Sequence, residues 1–277
     1  MRRVLLALPL LALTATLPPP RPLAAQDWYG GWRRADPKFA DAESLKDRRF
    51  IFCRVMYERV RREWGGQGWH TDYPDADRNF MQRLSELTRA AVARDGHGEP
   101  DFRVVRLAEH DIYSCPFLFM TDVGTAGLSA EEAARLSDYL LKGGFLYVDD
   151  FWGSYAWNHW ERTIAQVLPP GEYPILDVPL DHPMLHTLYS VTHIPQIPSI
   201  QHWRRSGGET SERGSDSAVP HLRAIADAQG RLLVVITHNT DIADGWERES
   251  EEYEFFHRFS PDAYALAINI VLYAMTH

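Results

Sequence analysis

The stretch SAEEAARLSDYLLKGGFLYVDDFWG, Ser129 to Gly153, holds one complete helix–strand unit and decides the fold class. Ser129-Ala130-Glu131-Glu132 is a capping box, in which the serine oxygen and Glu132 satisfy free amides at a helix start. Ala133, Leu136 and Leu140 recur on one face of that helix, and Gly143-Gly144 stops it. Phe145 to Val148 is apolar without alternation, as befits a strand covered on both faces of a parallel sheet. Asp149-Asp150 follow at the strand's exit.

The same alternation recurs on either side. Upstream, Phe50 to Tyr57 reads as a buried strand and Asp77 opens a helix that runs to Asp95-Gly96, with Phe80, Leu84, Leu87 and Ala91 inward. Phe102 to Leu107 and Phe117 to Met120 read as two more strands. Downstream, a helix passes through Trp157, Trp160 and Ile164, and Leu232 to Ile236 is the strongest strand-type run. A last buried helix is expected from Ser260-Pro261 through Met275. Ser206 to Ser217, mostly small and polar, reads as a mobile surface loop. Strands alternating with helices predict an α/β fold, a three-layer sandwich with a mainly parallel sheet.

Residues 1–25 have the parts of a secretory signal peptide: Arg2-Arg3, the apolar run Val4 to Leu17, and Leu23-Ala24-Ala25 before a cut at Gln26. The apolar run falls short of the roughly 20 residues a membrane span needs, so no span is expected after cleavage. Residues 26–48 form a lead-in segment and residues 49–277 the domain. Removing three arginines and no acid takes the formal charge from −9 to −12, which disfavours nucleic acid and anionic lipid as partners. Export makes the protein periplasmic or secreted, where Cys53 and Cys115 are free to pair; as buried residues in apolar stretches they could equally stay unpaired.

Ligands gather at the carboxyl ends of parallel strands, and three groups of residues fall there. Asp149-Asp150, beside Phe151 and Trp152, could serve as acid and base, hold a metal, or bind a polar ligand; alternatively Asp150 caps the next helix and Asp149 pairs with a base. Asp72 to Phe80 leads from the first strand to its helix, with Asp72 or Asn79 facing the cleft and Asp77 a possible cap. Arg54, inside the first strand, needs a carboxylate partner in Asp72, Asp77 or Asp150. Thr237 to Glu247 collects His238, Asn239, Asp241 and Asp244 after the strongest strand, in a spacing that matches no standard metal site. His182-Pro183-Met184-Leu185-His186 has proline where a zinc protease needs glutamate, so Pro183 reads as the start of a short helix. Neither a metal nor a cofactor is expected.

The chain resembles the bacterial domain-of-unknown-function family DUF4159. The likeness rests on Phe52-Cys53-Arg54-Val55, Asp72-Tyr73-Pro74 through Asn79-Phe80, Arg83-Leu84, Gly143 to Leu146 with Asp149-Asp150-Phe151, His182-Pro183, Asp241, and Asp244 to Glu247. It implies a class I glutamine amidotransferase-like, flavodoxin-like fold. The turn Val148 to Phe151 carries aspartate where such enzymes have their cysteine, and no nucleophile elbow is present elsewhere. The expected function is a non-amidase binding domain acting in the cell envelope on a glycan or protein partner. Its ligand residues would be Arg54, Asp72, Asn79, Trp152, Asp241 and Asp244. The alternative is a hydrolase of envelope glycans that uses Asp149 or Asp150 with His238.

Overall fold

The computed structural model describes residues 35–277 except 42–43, 47–48, 64 and 250. The signal peptide, the first part of the lead-in and Trp64 lie outside the described residues. In chain order the first elements are β1 (Phe52–Met56), β2 (Glu58–Arg59), α1 (Asp75–Leu87), β3 (Phe102–Arg106), β4 (Leu118–Thr121), β5 (Ala126–Gly127) and α2 (Ala130–Leu141). They continue as β6 (Leu146–Asp149), α3 (Gly153–Ile164), β7 (Leu176–Asp177), α4 (Ile200–Ser206), β8 (His221–Ala226), β9 (Leu232–His238), α5 (Asp244–Glu247) and α6 (Tyr253–Thr276).

The described residues form a seven-stranded sheet in the order β3-β1-β4-β6-β9-β8-β7. The first five strands of that order run parallel, and β8 and β7 close one side antiparallel. At the opposite side Phe39 of the lead-in bridges to Val104 of β3. Strand periodicity assigns the two faces. Phe52 of β1 and Phe119 of β4 pack beneath α1, α4, α5 and α6 through Phe80, Leu84, Trp203, Trp246 and Leu266. Cys53 and Val55 meet α2 and α3 on the other face through Leu136, Leu140, Trp160 and Ile164. The result is a mixed α/β sandwich of three layers with a mostly parallel central sheet. No helix among the described residues is long and apolar enough to cross a membrane.

The capping box at Ser129 forms as expected, with both reciprocal hydrogen bonds. Cys53 of β1 and Cys115, in the turn that leads into β4, are joined as a disulfide, which closes the question the sequence left open. Pro183 opens a 3-10 turn, Pro183–His186, with His182 Nδ1 accepting from the Met184 amide.

Three expectations need correction. Helix α1 ends at Leu87, not Asp95, because the Thr88 hydroxyl donates to Leu84 O and accepts from the Ala90 amide, turning the chain out. Leu87 is therefore exposed and Ala91 lies beyond the helix. Helix α6 starts at Tyr253, before Ser260-Pro261; burial of Phe255 and Phe259 against Trp203 outweighs the cost of an interior proline, about 3 kcal/mol. Ser206 to Ser217 is tied down rather than loose: Glu212 accepts from the Ser199 amide, and the buried Ser217 hydroxyl bonds Ser211 and the Arg213 amide.

Candidate functional site

Parallel strands β4, β6 and β9 each run into an aspartate or asparagine with left-handed backbone: Asp122 (φ 49°), Asp150 (φ 53°) and Asn239 (φ 61°). Asp72, in the connection from β1 to α1, shares that conformation at φ 64°. Aspartate and asparagine tolerate this region best among side-chain-bearing residues, at a cost on the order of 1 kcal/mol. Strain of this kind tends to gather at functional sites, and here it lines the carboxyl ends of the sheet.

Those turns aim carboxylates at one another. Ligand oxygens of Asp72, Asp150 and Asp241 lie within 4.8 Å of each other. Asp72 also lies within that distance of Asp244 and Glu247. Each of the four aspartates is more than nine-tenths buried.

Each is positioned by a specific partner. Arg54, fully buried, donates to both oxygens of Asp77 at 2.5–3.0 Å and to the carbonyls of Trp69 and Thr71 at 3.1 and 2.9 Å. Its donors therefore fix the loop that carries Asp72, and it positions the site rather than facing a ligand. Asp77 is its partner, not a helix cap. Trp152 Nε1 donates to Asp150 Oδ1 at 3.1 Å. Trp152, not Asp150, occupies the cap position of α3, without a side-chain capping bond. Gly153 (φ 77°) completes the turn where a Cβ would lie 2.5 Å from Asp216 Oδ2. Asp241 Oδ1 accepts from the Asp244 amide at 2.8 Å, and Asp244 Oδ2 from the Ile200 amide at 2.7 Å.

The remaining candidates sit apart from this cluster or beneath it. Asp149 is fully buried, with Oδ1 accepting from Thr237 Oγ1 at 2.6 Å and Oδ2 from the Ala243 amide at 2.9 Å. Asn79 donates to Trp246 O at 2.8 Å and so holds α5 against α1. His238 packs among Phe151, Trp157 and His221, with Nε2 at 3.2 Å from Gly153 O. The proposed acid–base pairing of His238 with Asp149 or Asp150 is not formed.

Burial pushes Asp72 well above the ordinary carboxylate range, and the Asp244 charge adds to it. Asp150 rises through burial and then the charges of Asp72 and Asp122. Asp241 rises through burial, Asp150 and Asp72. Burial pushes Asp244 up to about 6 against the opposing Arg248, and Glu247 up to about 10 with Asp72 adding to the rise. His238 is lowered to about 4 by burial.

Asp122 escaped the sequence reading. Burial pushes it up to about 7, against the Gly68 amide that donates to Oδ2 at 2.6 Å. Its signal was an acid directly after an apolar strand, the pattern that exposed Asp150.

The family described as Domain of unknown function (DUF4159) matches residues 52–275. No curated protein matches the chain.

Proposed function

The chain belongs to the DUF4159 family, and from that premise we propose that it is an exported, non-amidase binding domain of the cell envelope. Its ligand would sit over Asp72, Asp150 and Asp241. One observation carries this reading: buried carboxylates from three separate connections converge at the carboxyl ends of the sheet. Asp77 rather than any of them binds Arg54, Asp150 caps no helix, and Asp241 gives only one oxygen to the Asp244 amide at the start of α5. Like charges held together in this way are costly to the fold, and such arrangements mark functional sites. An acidic pocket repels anions and favours ligands rich in hydroxyl or amino groups, which fits an envelope glycan.

Several features support the finer parts of the reading. Taken in chain order, the parallel strands alone run 2-1-3-4-5 across the sheet, the flavodoxin-like order. The two cysteines are paired, which leaves no thiol for amidase chemistry and suits an oxidising compartment. Arg2-Arg3 and the following apolar run agree with export to the periplasm or medium. The hydrolase alternative draws on the same residues, with Asp150, its proton affinity raised by burial and by Asp72, as the acid; it lacks the His238 partner.

Calorimetric titration of envelope glycan fragments against wild type and Asp150→Asn tests the proposal. Binding and any turnover by wild type should be lost in the variant. Equal behaviour of the two proteins would refute the site.

A further inference from the structure

Resting on that pocket reading, we infer that Asp72, Asp150 and Asp241 are the protein ligands of a hard divalent cation, through which the pocket holds its polar ligand. Oxygen ligands lie about 2.0–2.6 Å from such ions, so two on opposite sides of one ion are roughly 4–5 Å apart and neighbours are closer. Mutual separations within 4.8 Å place the three carboxylates on a single coordination sphere.

Two unsatisfied groups point to a missing partner independently of the clustering. Asp72 Oδ2 is buried without a hydrogen-bond partner among the described residues. It belongs to the one residue shared by both close-set acidic groups. Thr121 Oγ1 is likewise buried and unpartnered. Thr121 lies in register with Asp149 and two residues beyond Phe119, which puts it on the strand face that carries Arg54 and Asp149. Native proteins rarely leave such atoms orphaned unless an ion or water completes them.

The donor set selects the ion. Three carboxylates, with no thiolate or imidazole, suit Ca²⁺, Mg²⁺ or Mn²⁺ rather than Zn²⁺ or copper. Arg248 is closest to the neighbouring acids, with Nε 2.7 Å from Glu247 Oε2 and 3.5 Å from Asp244 Oδ1, and its charge also favours ionised Asp72. Arg54 is turned to Asp77 and to backbone carbonyls. Asp150 Oδ1 and Asp241 Oδ1 each accept one hydrogen bond, which orients both carboxylates. Such outer partners are what metal-ligating carboxylates require.

The test uses the metal ions alone. Mn²⁺, Ca²⁺ and Mg²⁺ are titrated into EDTA-stripped protein, with thermal unfolding read for all three and loss of the free-ion electron paramagnetic resonance signal for Mn²⁺. At least one cation should raise Tm by roughly 5–10 °C at about 100 times Kd, and one Mn²⁺ should bind per chain. Asp72→Asn and Asp241→Asn should weaken binding at least about tenfold, as expected for the loss of a direct ligand. Asparagine accepts the left-handed backbone at position 72, so the metal-free Tm of that variant should equal or exceed that of wild type. A variant that does not fold leaves the other variant and the wild-type stoichiometry to decide. No response to any cation at about 10 mM, above the range of weak extracellular calcium sites, overturns the inference. So does binding that survives both substitutions. Glycan titration in EDTA separates this claim from the pocket reading: binding that persists in EDTA yet is lost in Asp150→Asn keeps the pocket and removes the cation.

Discussion

The carboxylates of Asp72 and Asp150 meet within 4.8 Å although one leaves the connection after β1 and the other the exit of β6, both through left-handed backbone. Asp72 raises the proton affinity of Asp150, and both raise that of Asp241, in a pocket where burial already penalises charge. The fold spends stability to keep them there.

Asp150→Asn should therefore stabilise the metal-free protein by about 1–2 kcal/mol while removing ligand binding, the usual exchange at a strained site. Asparagine keeps the left-handed turn and an acceptor for Trp152 Nε1. Urea unfolding in EDTA measures the gain. A loss of stability would mean that Asp150 is structural.

The pH dependence follows from the same groups. A carboxyl raised in the folded state keeps its proton at pH values where the unfolded chain, titrating near 4, has lost it. Stability from that difference is present at low pH and lost as pH rises through the folded value. For each raised carboxyl the loss runs from about pH 4 up to its folded value, about 7 for Asp122 and about 10 for Glu247. Above about pH 6.5, where the depressed His238 no longer offsets it, Glu247 carries the fall. Without divalent cation, stability should fall between about pH 6.5 and 9. Denaturation midpoints across that range check the sign, and a rise would contradict it.

Asp77→Ala should cost about 3–5 kcal/mol, because it leaves the Arg54 guanidinium buried without a counter-charge. Replacing both residues, as Arg54→Met with Asp77→Leu, should cost much less than the sum of the single changes. Ligand binding should still drop in the double variant, since the Trp69–Thr71 loop loses its anchor. Chemical denaturation and the glycan titration read the two effects separately.

The Cys53–Cys115 disulfide spans a sequence separation of 62 and is almost wholly buried. Its removal by double substitution to serine should cost about 2–5 kcal/mol. Protein recovered from the periplasm should show no free thiol on denaturation; two free thiols there would contradict the Cys53–Cys115 bond.

Local features were legible in the sequence. The Ser129 capping box and the covered strand Phe145 to Val148 need only neighbouring residues, and acids at strand exits pointed to Asp72, Asp150 and Asp241. Partnerships between distant segments were not. Arg54 had three possible carboxylates, and only the placement of α1 beside β1 selects Asp77. His238 was grouped with the wrong residues for a reason of periodicity. Thr237 bonds Asp149 on one face of the sheet, so the next side chain turns to Phe151 and Trp157 on the other.

Trp152 offers the most direct test of the pocket, because its indole N–H donates to Asp150 within the proposed site. Among nine tryptophans its indole ¹H–¹⁵N signal is assigned by Trp152→Phe. A glycan fragment that binds should move this signal in wild type and leave it unmoved in Asp150→Asn. Binding that shifts other indole signals while that of Trp152 stays fixed would place the ligand elsewhere and contradict the account.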